Sequence, residues 1–348
     1  MCRIKAAVLF ELNKPLEIRT LKRRPLESGQ VFVKILYSGV CRSQLMEVSG
    51  LRGDDRWLPH LLGHEGSGVV EDVGPDVKKF KKGDEVMLSW IKGNGIEAQG
   101  AIYDSDDVVI NSGKVTTFSN YSVVSENRII KKPRNLDFDT AVLFGCALPT
   151  GAGMVINEIN VKLESSVIVI VIGLGGIGMS AVAMLLSLKI KNIIALDISA
   201  KKLDLVKSWG VNHTIDASKP NIQELVQEIF PDGAEFCIES AGRVSTIELG
   251  FSLVNRNKGK LLFASHPPEG EKIRLSPHEL ISGKSIAGSW GGAIDPDRDI
   301  PILYHNFISA NFPLNSLLTK PYSLLDINKA LEDLESGKVL RPLIKMEH

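Results

Sequence analysis

The sequence predicts an α/β protein in which a β-rich domain accompanies a second domain built on a doubly wound parallel sheet. Three observations support this prediction. The chain has 348 residues, enough for about two domains with their own cores. Its first third consists of short β-rich runs separated by turn signals, and from residue 166 onward strand-like and helix-like runs alternate.

The N-terminal part reads as an antiparallel barrel or sandwich. Gly74-Pro75 and the Lys-Gly-Asp run at 82–84 mark turns between the β-rich runs. We expect strands at 6–10, 30–36, 68–73, 85–90, 108–110 and 121–124.

The rhythm of the chain then changes to a βαβ series, which implies parallel strands. The predicted elements are a helical run at 139–158, strands at 166–172, 193–196, 235–239, 260–264 and 285–289, helices at 179–188, 201–209 and 327–337, and a final strand within 339–345. We place the β-rich domain at 1–155 and 291–348 and the parallel-sheet domain at 156–290.

The charge balance argues for a small-molecule partner. Lys plus Arg and Asp plus Glu both total 41, so the chain lacks the basic field that nucleic acid or an anionic membrane would attract. The apolar run at 6–10 is short for a signal peptide, and 167–172 is short for a membrane span. Four unclustered cysteines (Cys2, Cys41, Cys146, Cys237) favour a reducing compartment, and we expect a cytoplasmic protein.

A glycine-rich turn follows the apolar run 166–172 and opens an apolar helix. Its glycines are Gly173, Gly175, Gly176 and Gly178. Gly173 permits the tight turn, Gly175 lets backbone amides approach a pyrophosphate, and Gly178 allows close packing of helix on strand. Strand, turn and helix together predict a dinucleotide site at the helix N-terminus.

Asp197 ends the next predicted strand, about 20 residues after Gly178, where a carboxylate can bind both ribose hydroxyls. A carboxylate repels a 2′-phosphate, so Asp197 favours NAD over NADP, with Lys202 flanking the same ribose. The alternative is a packing turn with a solvated Asp197.

Cys41, His64 and Cys146 are far apart in sequence, and by cysteine spacing alone a buried structural role suits them. Their settings change that interpretation: Gly-Val-Cys at 39–41, Gly-His-Glu-x-x-Gly at 63–68, Val-Gly at 73–74, Gly-Asp at 83–84 and Cys-x-x-x-Thr-Gly at 146–151. With the glycine turn, these motifs resemble the zinc-dependent medium-chain alcohol dehydrogenase superfamily, which joins a GroES-like catalytic domain to a Rossmann domain.

The resemblance implies that Cys41, His64 and Cys146 bind one catalytic zinc, with Glu65 as an alternate ligand. Two thiolates and an imidazole leave the fourth position of the tetrahedron open for a substrate alcohol. Ser43 would take the proton of that alcohol.

The resemblance also implies cofactor contacts. Arg42 and Arg341 would bind the pyrophosphate, and Thr150 would lie beside the nicotinamide. For Arg341, an exposed charge at a strand end is a close alternative.

The sequence departs from the family pattern in three places. The stretch 87–117 holds no cysteine, so we expect no second, structural zinc. Gln44 stands where the family usually has an acid, and Met46 stands where some members have a relay histidine. The partner of His64 and the outer proton path are therefore left open.

The expected function is hydride transfer between NAD and an alcohol or carbonyl. Trp90 falls at a pocket aromatic, and Asn111, Ser112 and Lys114 favour a polyol, a sugar derivative or another polar alcohol; the alternative is a solvated loop outside the pocket. Two rival functions are a zinc-free quinone or enone reductase of the same fold and a non-catalytic nucleotide-binding protein. The strand-like run 284–290 reads as a sheet edge, so we expect a homodimer or homotetramer.

Overall fold

The computed structural model describes residues 3–106 and 108–348. Cys2 therefore lies outside the described residues. The chain divides into two compact units. Unit 1 holds the residues up to Cys146 together with Asp295–Pro301 and Pro313–His348, and unit 2 holds Ala147–Ile294 and Ile302–Phe312.

The strands, in chain order, are β1 (Ile4–Leu9), β2 (Glu17–Arg23), β3 (Gln30–Gly39), β4 (His60–Leu61), β5 (Glu65–Val73), β6 (Glu85–Ser89), β7 (Ile102–Ser105), β8 (Val108–Asn111), β9 (Tyr121–Ser125), β10 (Ile129–Lys131), β11 (Val169–Ile172), β12 (Ile193–Asp197), β13 (His213–Asp216), β14 (Phe236–Glu239), β15 (Lys260–Phe263), β16 (Ser285–Gly288), β17 (Tyr322–Ser323) and β18 (Leu343–Lys345).

The α-helices are α1 (Arg42–Val48), α2 (Phe138–Ala141), α3 (Ala147–Gly153), α4 (Gly176–Ser187), α5 (Ala200–Trp209), α6 (Ile222–Ile229), α7 (Val244–Leu253), α8 (Pro277–Ile281), α9 (Pro296–Ser309) and α10 (Ile327–Glu335). Short 3₁₀ turns lie at Glu126–Arg128, Val142–Gly145, Gly291–Ala293, Leu314–Leu317 and Leu324–Asp326, and a π-helical turn lies at Met154–Glu158.

Unit 1 is β-rich. A closed barrel has the order β1-β2-β7-β8-β4, and a second sheet has the order β10-β6-β5-β3-β18-β17, with β9 also paired to β3. The late strand β18 pairs antiparallel with β3, so the C-terminal segment shares the sheet of the N-terminal one. Val31, Val33 and Ile35 of β3 are fully buried in its core, which also includes Ile327 and Ile344.

Unit 2 contains a six-stranded sheet in the order β13-β12-β11-β14-β15-β16, and every pairing in it is parallel. This order, with reversal beside the first strand, is the doubly wound order of nucleotide-binding sheets. All four residues of β11 are buried, as expected for a strand covered on both faces. The fold class predicted from the sequence is confirmed.

The structure differs from the predicted elements in several places, and α6, α7 and β13 are among the elements that the sequence analysis did not include. Strand β2 has the sequence Glu-Ile-Arg-Thr-Leu-Lys-Arg. Because most of its side chains are charged or polar and only Leu21 is buried, its sequence does not show the apolar pattern of a strand. The predicted helix 139–158 is interrupted at Cys146, whose backbone (φ −150°, ψ −82°) is not helical. Helix α9 lies outside the predicted elements, and it contains Pro301, a residue that usually interrupts helices.

Among the described residues, no single helix is long and apolar enough to cross a bilayer. One pair of helices meets the length and composition requirements when its two members are taken together, but the pair is bent.

Candidate active site

The structure brings Cys41, His64 and Cys146 together inside unit 1. The donor atoms of these three side chains all lie within 4.8 Å of one another, and His64 Nε2 is 3.2 Å from Cys146 Sγ. Sulfur atoms more than about 6 Å apart could not share one metal. The fold therefore brings together three side chains that are far apart in sequence.

Three breaks in regular structure position these side chains. Cys41 is extended (φ −104°, ψ 154°) and directly precedes α1, while Cys146 occupies the non-helical break before α3. His64 follows Gly63, which has φ +84°. A Cβ at Gly63 would come within 2.5 Å of Thr117 Oγ1, so the turn that presents His64 requires glycine.

The donor set fits a zinc ion. Bond lengths of about 2.0–2.1 Å to nitrogen and about 2.3 Å to sulfur, at a tetrahedral angle, separate nitrogen from sulfur by about 3.5 Å. The observed 3.2 Å between His64 Nε2 and Cys146 Sγ is close to that value. Two thiolates and one imidazole also leave one position of a tetrahedron free.

The site already favours one thiolate. The hydrogen bond from Cys146 holds the pKa of Cys41 well below its usual value, against the opposing effect of burial. The same contact and burial raise the pKa of Cys146, because the two sulfurs share one proton. Burial disfavours a charged His64, but the hydrogen bond and charge of Cys41 outweigh it and raise the pKa of His64.

Glu65 and Arg341 form an ion pair that is almost fully buried beside these ligands. Burial raises the pKa of Glu65, although the charge of Arg341 opposes that shift. Within the described part of the chain, Glu65 Oε1 is buried and has no hydrogen-bond partner. A buried carboxylate oxygen without a hydrogen-bond partner, beside two cysteines and a histidine, fits a cation site.

Glycines make room for Glu65. A Cβ at Gly39 would lie 2.6 Å from Glu65 Oε1, and one at Gly145 would lie 2.6 Å from Glu65 Cβ. Arg341, which the resemblance assigns to a pyrophosphate, is buried and paired with the Glu65 carboxylate, so the alternative of an exposed charge at a strand end is wrong.

Gln44 is the partner of His64 that the sequence left open. Its Nε2 lies 2.7 Å from His64 Nδ1 and 3.3 Å from Ser43 Oγ, while its Oε1 accepts a hydrogen bond of 2.9 Å from the backbone N–H of Cys41. Gln44 is 1% exposed. The buried amide of Gln44 therefore contacts two candidate zinc ligands, Cys41 and His64, and also the candidate proton acceptor, Ser43.

The glycine turn lies in unit 2, between β11 and α4. Gly173 has φ +85°, and a Cβ there would meet the backbone nitrogen of Ala241 at 2.6 Å. A Cβ at Gly178 would lie 1.9 Å from the carbonyl oxygen of Gly173. Gly175 precedes the first residue of α4, Gly176, and the space beside it is open. The open space at Gly175 leaves the backbone amides at the N-terminus of α4 accessible to a ligand.

Asp197 ends β12 and is mostly buried. Its carboxylate accepts hydrogen bonds from the backbone N–H of Leu174 at 2.6 Å and of Ser199 at 2.8 Å. Lys202 Nζ lies 3.8 Å from Asp197 Oδ2. The carboxylate and Lys202 therefore adjoin the glycine turn.

The remaining predicted residues lie in other settings. Arg42 is exposed on α1, and Thr150 is buried within α3. Of the three polar residues predicted for the pocket, Asn111 donates to the carbonyl of Trp57, Ser112 pairs with Thr116, and Lys114 forms an ion pair of 2.6 Å with Glu97. Each of these three thus has a partner within unit 1.

Two family models match the chain. An alcohol dehydrogenase GroES-like domain covers residues 27–134, and a zinc-binding dehydrogenase domain covers 176–308. The chain belongs to the medium-chain alcohol dehydrogenase superfamily. It is an oxidoreductase of the alcohol dehydrogenase family.

Solved structures agree with this membership. Benzyl alcohol dehydrogenase from Acinetobacter calcoaceticus is 28% identical, with a TM-score of 0.88 and full coverage of both chains. An alcohol dehydrogenase zinc-binding domain protein from Burkholderia ambifaria is 27% identical, with a TM-score of 0.88 and full coverage of both. The alcohol dehydrogenase from Aeropyrum pernix is 27% identical with a TM-score of 0.77, over 98% of this chain and 99% of that one.

Proposed function

We propose that this chain is a zinc-dependent dehydrogenase that transfers a hydride between NAD and an alcohol or carbonyl pair. The convergence of Cys41, His64 and Cys146 within 4.8 Å carries the proposal, because two thiols and an imidazole in one cluster match a catalytic zinc site. A zinc-free reductase of the same fold has no need of this cluster.

Cys41, His64 and Cys146 would hold the zinc, and Glu65 would serve as an alternate ligand. When bound, the zinc would act as a Lewis acid on the substrate oxygen. The chain's own contribution is to hold the ligands in place: the Gly63 turn fixes the direction of the His64 ring, and the Gln44 amide contacts Nδ1 at 2.7 Å, which leaves Nε2 directed at Cys146. The hydrogen bond from Cys146 lowers the pKa of Cys41, which favours the thiolate form that zinc requires.

Ser43 Oγ would receive the proton that the substrate hydroxyl loses and release its own hydroxyl proton to a ribose hydroxyl of NAD. Gln44 Nε2 donates a hydrogen bond to this oxygen at 3.3 Å, which fixes the side chain without occupying all of its acceptor capacity. Since Gln44 also contacts His64, it would keep the proton acceptor in register with the metal ligand.

NAD would bind in unit 2 and supply the hydride acceptor. The N-terminus of α4 and the open space at Gly175 would take the pyrophosphate, and Asp197, flanked by Lys202, would take the ribose hydroxyls. Arg42, Thr150 and Arg341 stay predicted cofactor contacts. Arg341 already binds Glu65 through one guanidinium nitrogen, so a contact with the cofactor would have to use its other N–H groups.

The substrate is proposed to be a small alcohol or carbonyl. The predicted preference for a polyol or sugar derivative has its support in Asn111, Ser112 and Lys114, whose internal partners reduce what they can offer a ligand. The relative from Acinetobacter calcoaceticus is named for benzyl alcohol, so an aromatic alcohol belongs in the same panel.

We also propose a cytoplasmic homodimer or homotetramer. A reducing compartment suits the proposal because Cys41 and Cys146 must be reduced to bind zinc, and neither takes part in a disulfide among the described residues. The assignment of residues 156–290 to the Rossmann domain, and of 1–155 and 291–348 to the GroES-like domain, stays a prediction.

Turnover by the purified chain tests the proposal. Short aliphatic alcohols, benzyl alcohol and polyols are offered with NAD and with NADP, before and after removal of metal by a chelator. The expected result is NAD-dependent oxidation that disappears with the zinc and returns when zinc is added back. Turnover that survives complete zinc removal would favour the reductase, and cofactor binding without turnover on any substrate would favour the non-catalytic protein.

A further inference from the structure

A second group of metal-binding side chains lies in unit 1, outside the site described above. Glu47 comes from α1, Asp55 from the loop that follows it, and His60 from β4. One donor atom of each lies within 4.8 Å of the others. Their side chains are 28%, 14% and 8% exposed, so the group is mostly shielded but reachable from solvent.

The contacts of His60 fix which nitrogen faces the carboxylates. His60 Nδ1 lies 2.9 Å from the backbone carbonyl oxygen of Leu61, which can only accept, so the Nδ1 hydrogen donates there. His60 Nε2 then faces Asp55 Oδ2 at 2.8 Å. Nε2, the ring nitrogen that the Leu61 carbonyl does not engage, is therefore the nitrogen directed at the carboxylates.

Glu47 adds a second negative charge. Its nearest charged partner among the described residues outside the group is Arg52, at 3.8 Å. Burial raises the pKa of Glu47 because the charged carboxylate has lost part of its hydration, although the charges of His60 and Arg52 oppose that shift. The two carboxylates of this partly buried group bring negative charge that a divalent cation would neutralise.

We propose that Glu47, Asp55 and His60 bind a second divalent transition-metal ion, Zn²⁺, through two carboxylates and an imidazole. A backbone carbonyl that holds Nδ1–H and turns Nε2 toward the ion is a common arrangement for a metal-binding histidine. Imidazole with carboxylate oxygens suits zinc, and water can complete the coordination.

The bound ion would fasten the loop between α1 and β4. Asp55 Oδ1 accepts a hydrogen bond of 2.9 Å from the backbone N–H of Trp57, and Asn111 donates to the Trp57 carbonyl at 2.8 Å. The side chain of Trp57 is 59% exposed. A metal that joins Asp55 to Glu47 would therefore hold this exposed tryptophan at a fixed position relative to α1.

The test is the zinc stoichiometry of the full chain after saturation with zinc and removal of excess metal. We expect two zinc ions per chain in the wild type and one in His60→Gln. Asp55→Asn and Glu47→Gln, which keep side-chain shape, should also lose one. Asp54→Asn is the matched control, since Asp54 is an exposed acid of the same loop and lies outside the group. Equal zinc content in wild type and all of these variants would overturn the proposal and leave only the contact between His60 Nε2 and Asp55 Oδ2.

Cobalt separates this site from the cysteine site. Cobalt bound by thiolates has an intense near-ultraviolet charge-transfer band, whereas cobalt bound by nitrogen and oxygen has none. His60→Gln should lose one cobalt and keep the band, and Cys146→Ser should lose one cobalt together with the band. If the proposed catalytic zinc is wrong and this site is right, the band is absent in the wild type and His60→Gln still loses one cobalt.

Discussion

At the scale of single residues, Asp197 is expected to decide which nicotinamide cofactor is used. Asp197→Asn removes the negative charge and retains an oxygen for one of the two backbone N–H groups, those of Leu174 and Ser199, that now bind separate carboxylate oxygens. We expect the ratio of kcat/KM for NADP over NAD to rise at least tenfold, about 1.4 kcal/mol, because the repulsion of a 2′-phosphate is relieved. Asp204→Asn, an exposed acid on α5, is the control. An unchanged ratio would show that Asp197 does not face the ribose.

Asp333 on α10 is expected to make stability depend on pH. Hydrogen bonds from Lys329, at 2.9 Å, and from Tyr322, at 2.8 Å, lower the pKa of Asp333 to about 2. A pKa below the unfolded value of about 3.9 means that this stabilisation is present above about pH 4 and is lost as the pH falls toward about 2.

Thermal unfolding across that range measures the effect. Asp333→Asn should lower Tm relative to the wild type at pH 5–7 (roughly the plateau of the effect), and the gap should close as the pH approaches about 2. Glu335→Gln, an exposed acid on the same helix, should change little at any pH. A gap that stays constant with pH would contradict the assigned role of the Asp333 charge.

At the scale of elements, the β11–α4 turn separates two uses of glycine. Gly175→Ala adds a methyl group to open space at a negative φ (−80°), so the fold should keep its Tm while NAD binding weakens, because the methyl group occupies the approach to the α4 amides. Gly178→Ala places Cβ 1.9 Å from the Gly173 carbonyl, so it should lower Tm as well as NAD affinity. Calorimetric titration with NAD and thermal unfolding distinguish the two. Unchanged NAD affinity in Gly175→Ala would remove the pyrophosphate from this turn.

At the scale of the whole molecule, β16 is an edge strand of the six-stranded sheet. Trp290 and Ile281, which flank this strand in sequence, are 71% and 84% exposed. An uncovered edge with apolar neighbours favours pairing between subunits, so we expect a dimer or tetramer in analytical ultracentrifugation. Ala287→Lys, which places a charge on the edge, should shift the population toward monomer. A wild-type monomer at micromolar concentration would contradict this expectation.

The sequence was sufficient for the fold class because its evidence is local. The apolar strand β11, the glycine turn and the apolar start of α4 are adjacent in sequence, and their pattern alone indicates a nucleotide-binding sheet. Cys41, His64 and Cys146 came from motifs recognised by resemblance, not from spacing. The pairing of Glu65 with Arg341 joins residues 276 positions apart and could not be read from either local sequence.

Two side-chain contacts, Gln44 with His64 and Asp55 with His60, also could not be predicted from the sequence. Gln44 interacts with His64 through an amide that sequence patterns do not distinguish from any polar helix residue. His60 and Asp55 meet only because the loop after α1 folds back on β4. Partners of this kind depend on tertiary structure, whereas periodicity reports only which face of an element is buried.

The zinc stoichiometry of Cys146→Ser tests the central claim most directly, with Cys237→Ser as a matched control at another buried cysteine. The account predicts that Cys146→Ser loses one zinc per chain relative to the wild type, and roughly a thousandfold or more of its NAD-dependent turnover, because the remaining ligands cannot retain the Lewis acid. Cys237→Ser should keep both the zinc and the turnover. Undiminished zinc content and undiminished turnover in Cys146→Ser would contradict the claim that Cys41, His64 and Cys146 form the catalytic metal site.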